Sequence, residues 1–215
     1  MKRTITVKGK GSVSLPPNLI TLTLNTEVID VEYDKSMVKG ANQTKALNEA
    51  VESVGLLKKD LKTSNFTVRT KYDNFQDKNG QYQRKFVGYL TEQTLSLTFD
   101  FDTKLLSKTL NALMASKVDP RIDIEFSIKE KEAFNAAILK DATKNALRQA
   151  KTLTKAANVV LKDLISIDYS WTDIEIKSRS DFGLEPRMMS ASFDADIQAE
   201  DVKASDYVTF VWEIE

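Results

Sequence analysis

Along the first fifteen residues, apolar or small side chains take the odd positions Ile5, Val7, Gly9, Gly11, Val13 and Leu15. Polar ones take the even positions Thr4, Thr6, Lys8, Lys10, Ser12 and Ser14. This period of two predicts a strand with one buried face, and it puts both glycines on that face. Pro16-Pro17-Asn18 ends the strand, and Ile20, Leu22, Leu24 and Val28 start a second with the same alternation, so the opening pair reads as a hairpin.

The period then changes. Met37, Ala41, Thr44, Leu47, Val51 and Val54 recur at three and four residues, which predicts an amphipathic helix from about Asp34, stopped by Gly55. Phe66, Val68, Thr70 and Tyr72 alternate as a strand. Asp77-Lys78-Asn79-Gly80 gives a turn, and a long return strand runs through Val87, Tyr89, Leu95, Leu97, Phe99 and Phe101. Asp102 or Thr103 can cap a second helix with core positions Leu106, Leu110 and Leu113, closed by Asp119-Pro120.

Ile122, Ile124, Phe126 and Ile128 mark another strand. A third helix from about Ala133 to Asn158 carries an inward stripe of Leu139, Ala142, Ala146, Ala150, Leu153 and Ala157, small enough to lie close against a sheet or a partner helix. Ile165, Ile167, Tyr169 and Trp171, then Val208, Phe210, Trp212 and Ile214, complete the strands. Residues 177–203 lack either period and read as a flexible loop. The order β-β-α-β-β-α-β-α-β-β predicts an α+β fold, with mainly antiparallel sheets packed against amphipathic helices.

The chain has 215 residues, 41% of them apolar, enough for a single domain over 1–215 built on one core or two closely packed lobes. Lys plus Arg equals Asp plus Glu at 31 each, so no overall field favours a nucleic acid or an anionic membrane. No apolar run is long enough for a membrane span. Without an apolar leader the chain is expected in the cytoplasm, and outside it if a leader has been removed.

Cysteine and histidine are both absent, which excludes disulfides, thiol nucleophiles, Cys/His zinc sites, Ser-His-Asp triads and histidine proton shuttles. Carboxylate, lysine, tyrosine and serine-lysine chemistry remain.

Isolated motifs dissolve in context. A dinucleotide fingerprint needs its glycines at a strand-to-helix turn. Gly9-Lys10-Gly11 is followed by more strand, so two small residues admitting a crossing helix or a bulge explain the pair. Asp181-Phe182-Gly183 has the letters of a kinase magnesium motif with none of its companions. Asp100 with Asp102, and Asp194 with Asp196, Glu200 and Asp201, read as solvated ends and loop faces; no metal or cofactor is expected. Met188-Met189 beside Arg187 is either an adaptable contact for a partner subunit or an anchor of the loop onto its own core.

Taken in order, several segments resemble one family. "ITVKGKGSVSLPPN" is similar to the I-x-V-x-G-x-G-x-V-x-x-x-P-D opening of the SIMPL-domain family, with Pro17 on the motif proline and Asn18 in place of the acidic residue. "KKDLKTSNFTVRTKYD", and "FVGYLTEQTLSLTF" with Tyr89 in its Gly-Tyr pair, resemble the following segments. The helix "IEFSIKEKEAFNAAILKDATKNALRQAKTLTKAANV" and "EPRMMSASFDADIQAEDVKASDYVTFVWEIE" are similar to the remainder. The resemblance implies an α+β domain, a tendency to self-associate, roles in stress response or signalling with bacterial members linked to oxidative-stress defence, and no catalytic residues to transfer.

The expected function is a non-enzymatic module that binds copies of itself or another protein. Gly9, Gly11, Pro17, Tyr89, Met188 and Met189 are its structural or interaction candidates. The alternatives are a hydrolase or lyase with carboxylate, Lys or Tyr groups in a sheet-helix cleft, and a binder of small apolar ligands involving Trp171, Tyr169 and Phe182.

Overall fold

The computed structural model describes residues 3–76, 80–170, 182–184 and 198–215. The chain divides into two compact units. The first comprises 1–18, 126–179 and 199–215, and the second comprises 19–125 and 180–198.

In the first unit, β1 (Arg3–Leu15) and β6 (Leu161–Asp168) flank β8 (Val202–Ile214) in an antiparallel three-stranded sheet. The helix α3 (Lys131–Ala156) lies along it. Val7, Val208, Phe210 and Trp212 pack with Ala142, Ala146 and Ala150, and a second cluster gathers Ile128, Phe134, Ile138 and Val202. The buried residues of α3 are Phe134, Ile138, Ala142, Ala146, Ala150 and Thr154, one every fourth residue. Such a stripe winds round the helix, so at its end Thr154 is buried and Leu153 is exposed, where period-3.6 reasoning placed Leu153 and Ala157 inward.

The second unit holds a five-stranded sheet ordered β3-β4-β2-β5-β7, built from β2 (Leu19–Asp30), β3 (Leu61–Gln76), β4 (Tyr82–Asp100), β5 (Arg121–Ser127) and β7 (Phe182–Leu184). Strand β5 runs on across the boundary into the first unit. The helices α1 (Tyr33–Ser53) and α2 (Thr103–Ala115) pack against each other, and α1 lies against β2 and β4. Asp102 caps α2, its Oδ1 accepting from the amides of Lys104 at 2.9 Å and Leu105 at 3.0 Å, and the helix buries Leu106, Leu110 and Leu113 as their spacing predicts. Gly55 follows α1 at φ +93°, where only glycine sits without strain.

Three further sequence expectations need correction. The first two strands form no hairpin, because β1 pairs with β8 and β2 with β4. Alternation specifies a strand and its buried face but not its partner. The link is tied elsewhere: the Asn18 amide donates to Ser127 O at 3.1 Å, its Nδ2 donates to Glu130 Oε2 at 2.8 Å, and its Oδ1 accepts from the Lys129 amide at 2.7 Å.

The inward face of α1 is rotated from the expected one. Ser36, Gly40, Leu47, Ala50 and Val51 are buried, while Ala41 is exposed. Small residues there let the helix approach a polar stretch of β4, where the Ser36 and Thr91 hydroxyls lie 2.7 Å apart and Thr44 Oγ1 donates to Gln93 Oε1 at 2.6 Å.

The segment 177–203 also contains structure. Phe182–Leu184 form β7, paired antiparallel with Ile122–Ile124, a run too short to show alternation, and β8 begins at Val202.

Candidate functional site

In the second unit, β3 and β4 extend beyond the sheet as a two-stranded ribbon. Strand β2 ends at Asp30, opposite Tyr89, while β3 and β4 continue past that point from Lys71 to Gln76 and from Tyr82 to Gly88. Six residues of strand extend about 20 Å. The ladder shifts between Lys71 and Tyr72, with Gly88 facing Lys71 and Phe86 facing Tyr72, so Val87 is an extra residue and the ribbon bends there. Gly88 has φ +154°, and a Cβ on it would strike the carbonyl oxygen of Asp30.

Asp30 holds the root of the ribbon. Its Oδ1 accepts from the Glu32 amide at 3.0 Å, and its Oδ2 sits 2.6 Å from Lys39 Nζ. The Lys39 hydrogen bond, then the Glu32 amide, hold the Asp30 carboxyl below its ordinary value.

Aromatic rings run from the helix out along the ribbon. Tyr33 meets Tyr89 edge-on at 5.4 Å, Tyr89 meets Phe86 at 5.5 Å, and Phe86 meets Tyr72 at 5.7 Å. The Arg84 guanidinium stands 4.9 Å over the Tyr72 ring. Because Tyr72 faces Phe86, Asn74 faces Arg84 and Gln76 faces Tyr82, one face carries Tyr72, Phe86, Arg84 and Tyr82, while Phe75 lies on the other. These rings are exposed, Tyr82 at 81%.

A polar cavity of about 620 Å³ lies in the same unit, lined in part by Asn25, Glu27, Glu92, Asp119, Arg121 and Asp123. Its groups are tied to one another. Thr94 Oγ1 donates to Asn25 Oδ1 at 2.9 Å, Asn25 Nδ2 donates to Asp123 Oδ2 at 3.3 Å, and Arg121 lies 3.7 Å from Asp123. Arg69 forks onto both oxygens of Glu92 at 2.7 and 2.8 Å, and that contact raises the Arg69 pKa. Among the described residues, no lysine or tyrosine lines it. Among the described residues, no group of three Asp or Glu is placed to hold a metal ion.

The remaining sequence candidates fall in different places. Gly9 and Gly11 lie directly beneath α3, where a Cβ would collide with the carbonyl oxygens of Ala142 and Ile138. Pro17 is buried in the link between β1 and β2. Tyr89 stands at the root of the aromatic chain. Met188, Met189 and Trp171 lie outside the described residues. Tyr169 belongs to the first unit and donates from its hydroxyl to Asp206 Oδ2 at 2.9 Å, whereas Phe182 lies in β7 of the second.

Sequence reasoning found Tyr89 and missed Tyr72, Tyr82, Arg84 and Phe86. The signal was the length of β4, 19 residues against 12 for β2, which leaves its first turns of ladder without a third strand. Among the described residues, no helix is long and apolar enough to cross a membrane.

The chain is 26% identical over 167 residues to the uncharacterized protein YggE of Edwardsiella ictaluri (strain 93-146), covering 77% of this chain and 67% of that protein. The SIMPL family model, described as a protein of unknown function (DUF541), matches residues 5–212, nearly the whole length. The chain therefore belongs to the SIMPL family.

Proposed function

We propose that this protein is a non-enzymatic interaction module that assembles with copies of itself through the aromatic ribbon of β3 and β4. The observation that carries this reading is a pair of long strands whose outer edges meet no further strand, and whose rings stand exposed, among the described residues of their own unit. An edge strand of this length is a template for pairing and is ordinarily blunted.

The edge strand β1 shows such blunting. Asp141 of α3 accepts from the Ser12 amide at 3.0 Å, and Asn145 donates to Lys10 O at 2.8 Å. Over its described length, β3 carries Phe66, Tyr72 and Phe75 at 44–47% exposure. A second copy is the occupant that fits, because two β3 edges brought together antiparallel about a two-fold axis present the same surface to each other.

Light scattering across a concentration series tests this. The wild-type chain forms a dimer or larger assembly, and Tyr72→Ser/Tyr82→Ser/Phe86→Ser shifts the midpoint of association at least tenfold upward in concentration with an unchanged circular dichroism spectrum. A chain that stays monomeric throughout sinks the proposal.

The polar cavity favours a second reading, a carboxylate-based hydrolase or lyase. It predicts turnover of some ester or glycoside panel member that Asp123→Asn abolishes, and failure to find any leaves assembly as the activity.

A further inference from the structure

We infer that the outward face of α3 is a docking surface for the anionic headgroups of a phospholipid bilayer. Lys144, Arg148, Lys151 and Lys155 are spaced by four, three and four residues, which puts them on one side of the helix. All are exposed, and the line they form is about 16 Å long. From Ala142 to Lys162 the chain has no Asp or Glu. Among the described residues, no carboxylate forms an ion pair with any of them; Arg148 donates only to Asn145 Oδ1, at 3.2 Å.

The stripe is rigid as well as charged. The opposite side of α3 is seated on β1, with Ala142 and Ala146 against Gly9, so the helix cannot roll to bring counter-charges round. A chain with no net charge gains nothing from long-range steering, and what this helix offers is a local, preformed row of cations.

Composition distinguishes a bilayer from a nucleic acid. Leu147, 38% exposed, lines the same shallow trough as Lys144, Arg148, Lys151, Thr152 and Lys155. Cations flanking an apolar side chain suit the headgroup boundary of a membrane, where the charges meet phosphate and the leucine meets acyl chain. Binding to nucleic acid draws on more phosphate contacts and on aromatic or amide side chains that reach bases. The aromatic residue of α3, Phe134, is buried, and the amides beside the stripe are engaged within the chain: Asn145 donates to Lys10 O at 2.8 Å, and Gln149 donates to Asn145 Oδ1 at 3.0 Å.

The test is flotation of the full chain with vesicles of phosphatidylcholine alone or mixed with phosphatidylglycerol. Wild type is expected to float with the anionic vesicles, to stay behind with neutral ones, and to release as salt is raised. Each cation near such a surface raises partitioning about fivefold, so Lys144→Gln/Lys151→Gln/Lys155→Gln weakens binding about 100-fold. Lys45→Gln/Lys58→Gln/Lys59→Gln, on exposed positions in the other unit, leaves binding unchanged, and circular dichroism confirms that both variants fold.

The inference is overturned if wild type ignores anionic vesicles, if the α3 variant loses less than tenfold, or if the control variant loses as much. Tighter binding to duplex DNA than to the vesicles at the same ionic strength also overturns it, by making nucleic acid the partner. The readout is independent of self-assembly, which the ribbon variants report.

Discussion

Gly11 of β1 lies so close beneath the Ile138 carbonyl of α3 that a methyl group on its α-carbon would overlap that oxygen, and the Ala142 amide nitrogen would be only 2.8 Å away. Both obstacles are helix backbone, which cannot turn aside as a side chain can. Gly11→Ala is therefore expected to destabilise the chain by about 1–3 kcal/mol, the cost of overpacking a well-filled core. Ser12→Ala, one residue along and facing the other way, should be near neutral. Urea midpoints of the two variants check this, and equal midpoints would refute the close contact.

Asn18 bridges the β1–β2 link to the start of α3. Asn18→Asp keeps the acceptor for the Lys129 amide but turns the donor facing Glu130 Oε2 into a second carboxylate. The variant should lose about 1 kcal/mol at neutral pH, the worth of one exposed hydrogen bond. The sign follows from charge: a proton gained by either carboxyl removes the repulsion and restores a donor between them. The stability gap to wild type should narrow in acid, and a gap that widens there would contradict the contact.

Ser36, on the inward face of α1, is fully buried, its hydroxyl 2.7 Å from that of Thr91 and 2.9 Å from Tyr89 O. Removing it strands part of a buried polar pair. Ser36→Ala should cost about 1–3 kcal/mol, whereas Ser36→Ala with Thr91→Val, which takes away both hydroxyls, should recover part of that loss. A double-mutant cycle by chemical denaturation reads the coupling, and strict additivity would argue against the hydrogen bond.

Burial first, then the hydrogen bond to Asp206 and its charge, raise the Tyr169 phenol above its ordinary value of 10.0. A group whose pKa is higher folded than unfolded contributes fully below the unfolded value and loses that contribution as pH climbs through the folded one. The stability difference between wild type and Tyr169→Phe should therefore hold up to about pH 9 and shrink above about pH 10. Denaturant midpoints across that range decide it; a difference that grows in alkali would reverse the assignment.

How much of this was legible beforehand depended on distance along the chain. The Leu106-Leu110-Leu113 face and the Ala142-Ala146-Ala150 stripe are local patterns that periodicity placed, and a helix start at Asp102 or Thr103 was legible too, the structure choosing Asp102 as the cap. The partner of β1 was not legible, because Gly9 faces Val208 across almost the full chain and nothing near Gly9 encodes that choice. The inward face of α1 was misjudged because Ser36 and Gly40 do not look like core, though small size is what lets them meet Thr91 and Gln93. The ribbon was hidden for a third reason: alternation at Phe66 and Tyr72 says that a strand exists, and its place at the edge of the sheet, with no further strand beside it among the described residues, is a property of topology.

The pairing of β1 with β8 also sets the order of events during synthesis. At about 5–20 residues per second, a ribosome needs roughly 10–40 s after making Leu15 to reach Val202, the residue that pairs with it. Leu19 through Glu125, the larger part of the second unit, emerge as one continuous stretch meanwhile. The nascent chain must carry its first strand unzipped until the last one arrives, so a premature stop anywhere before Val202 leaves that strand exposed to chaperones and proteases.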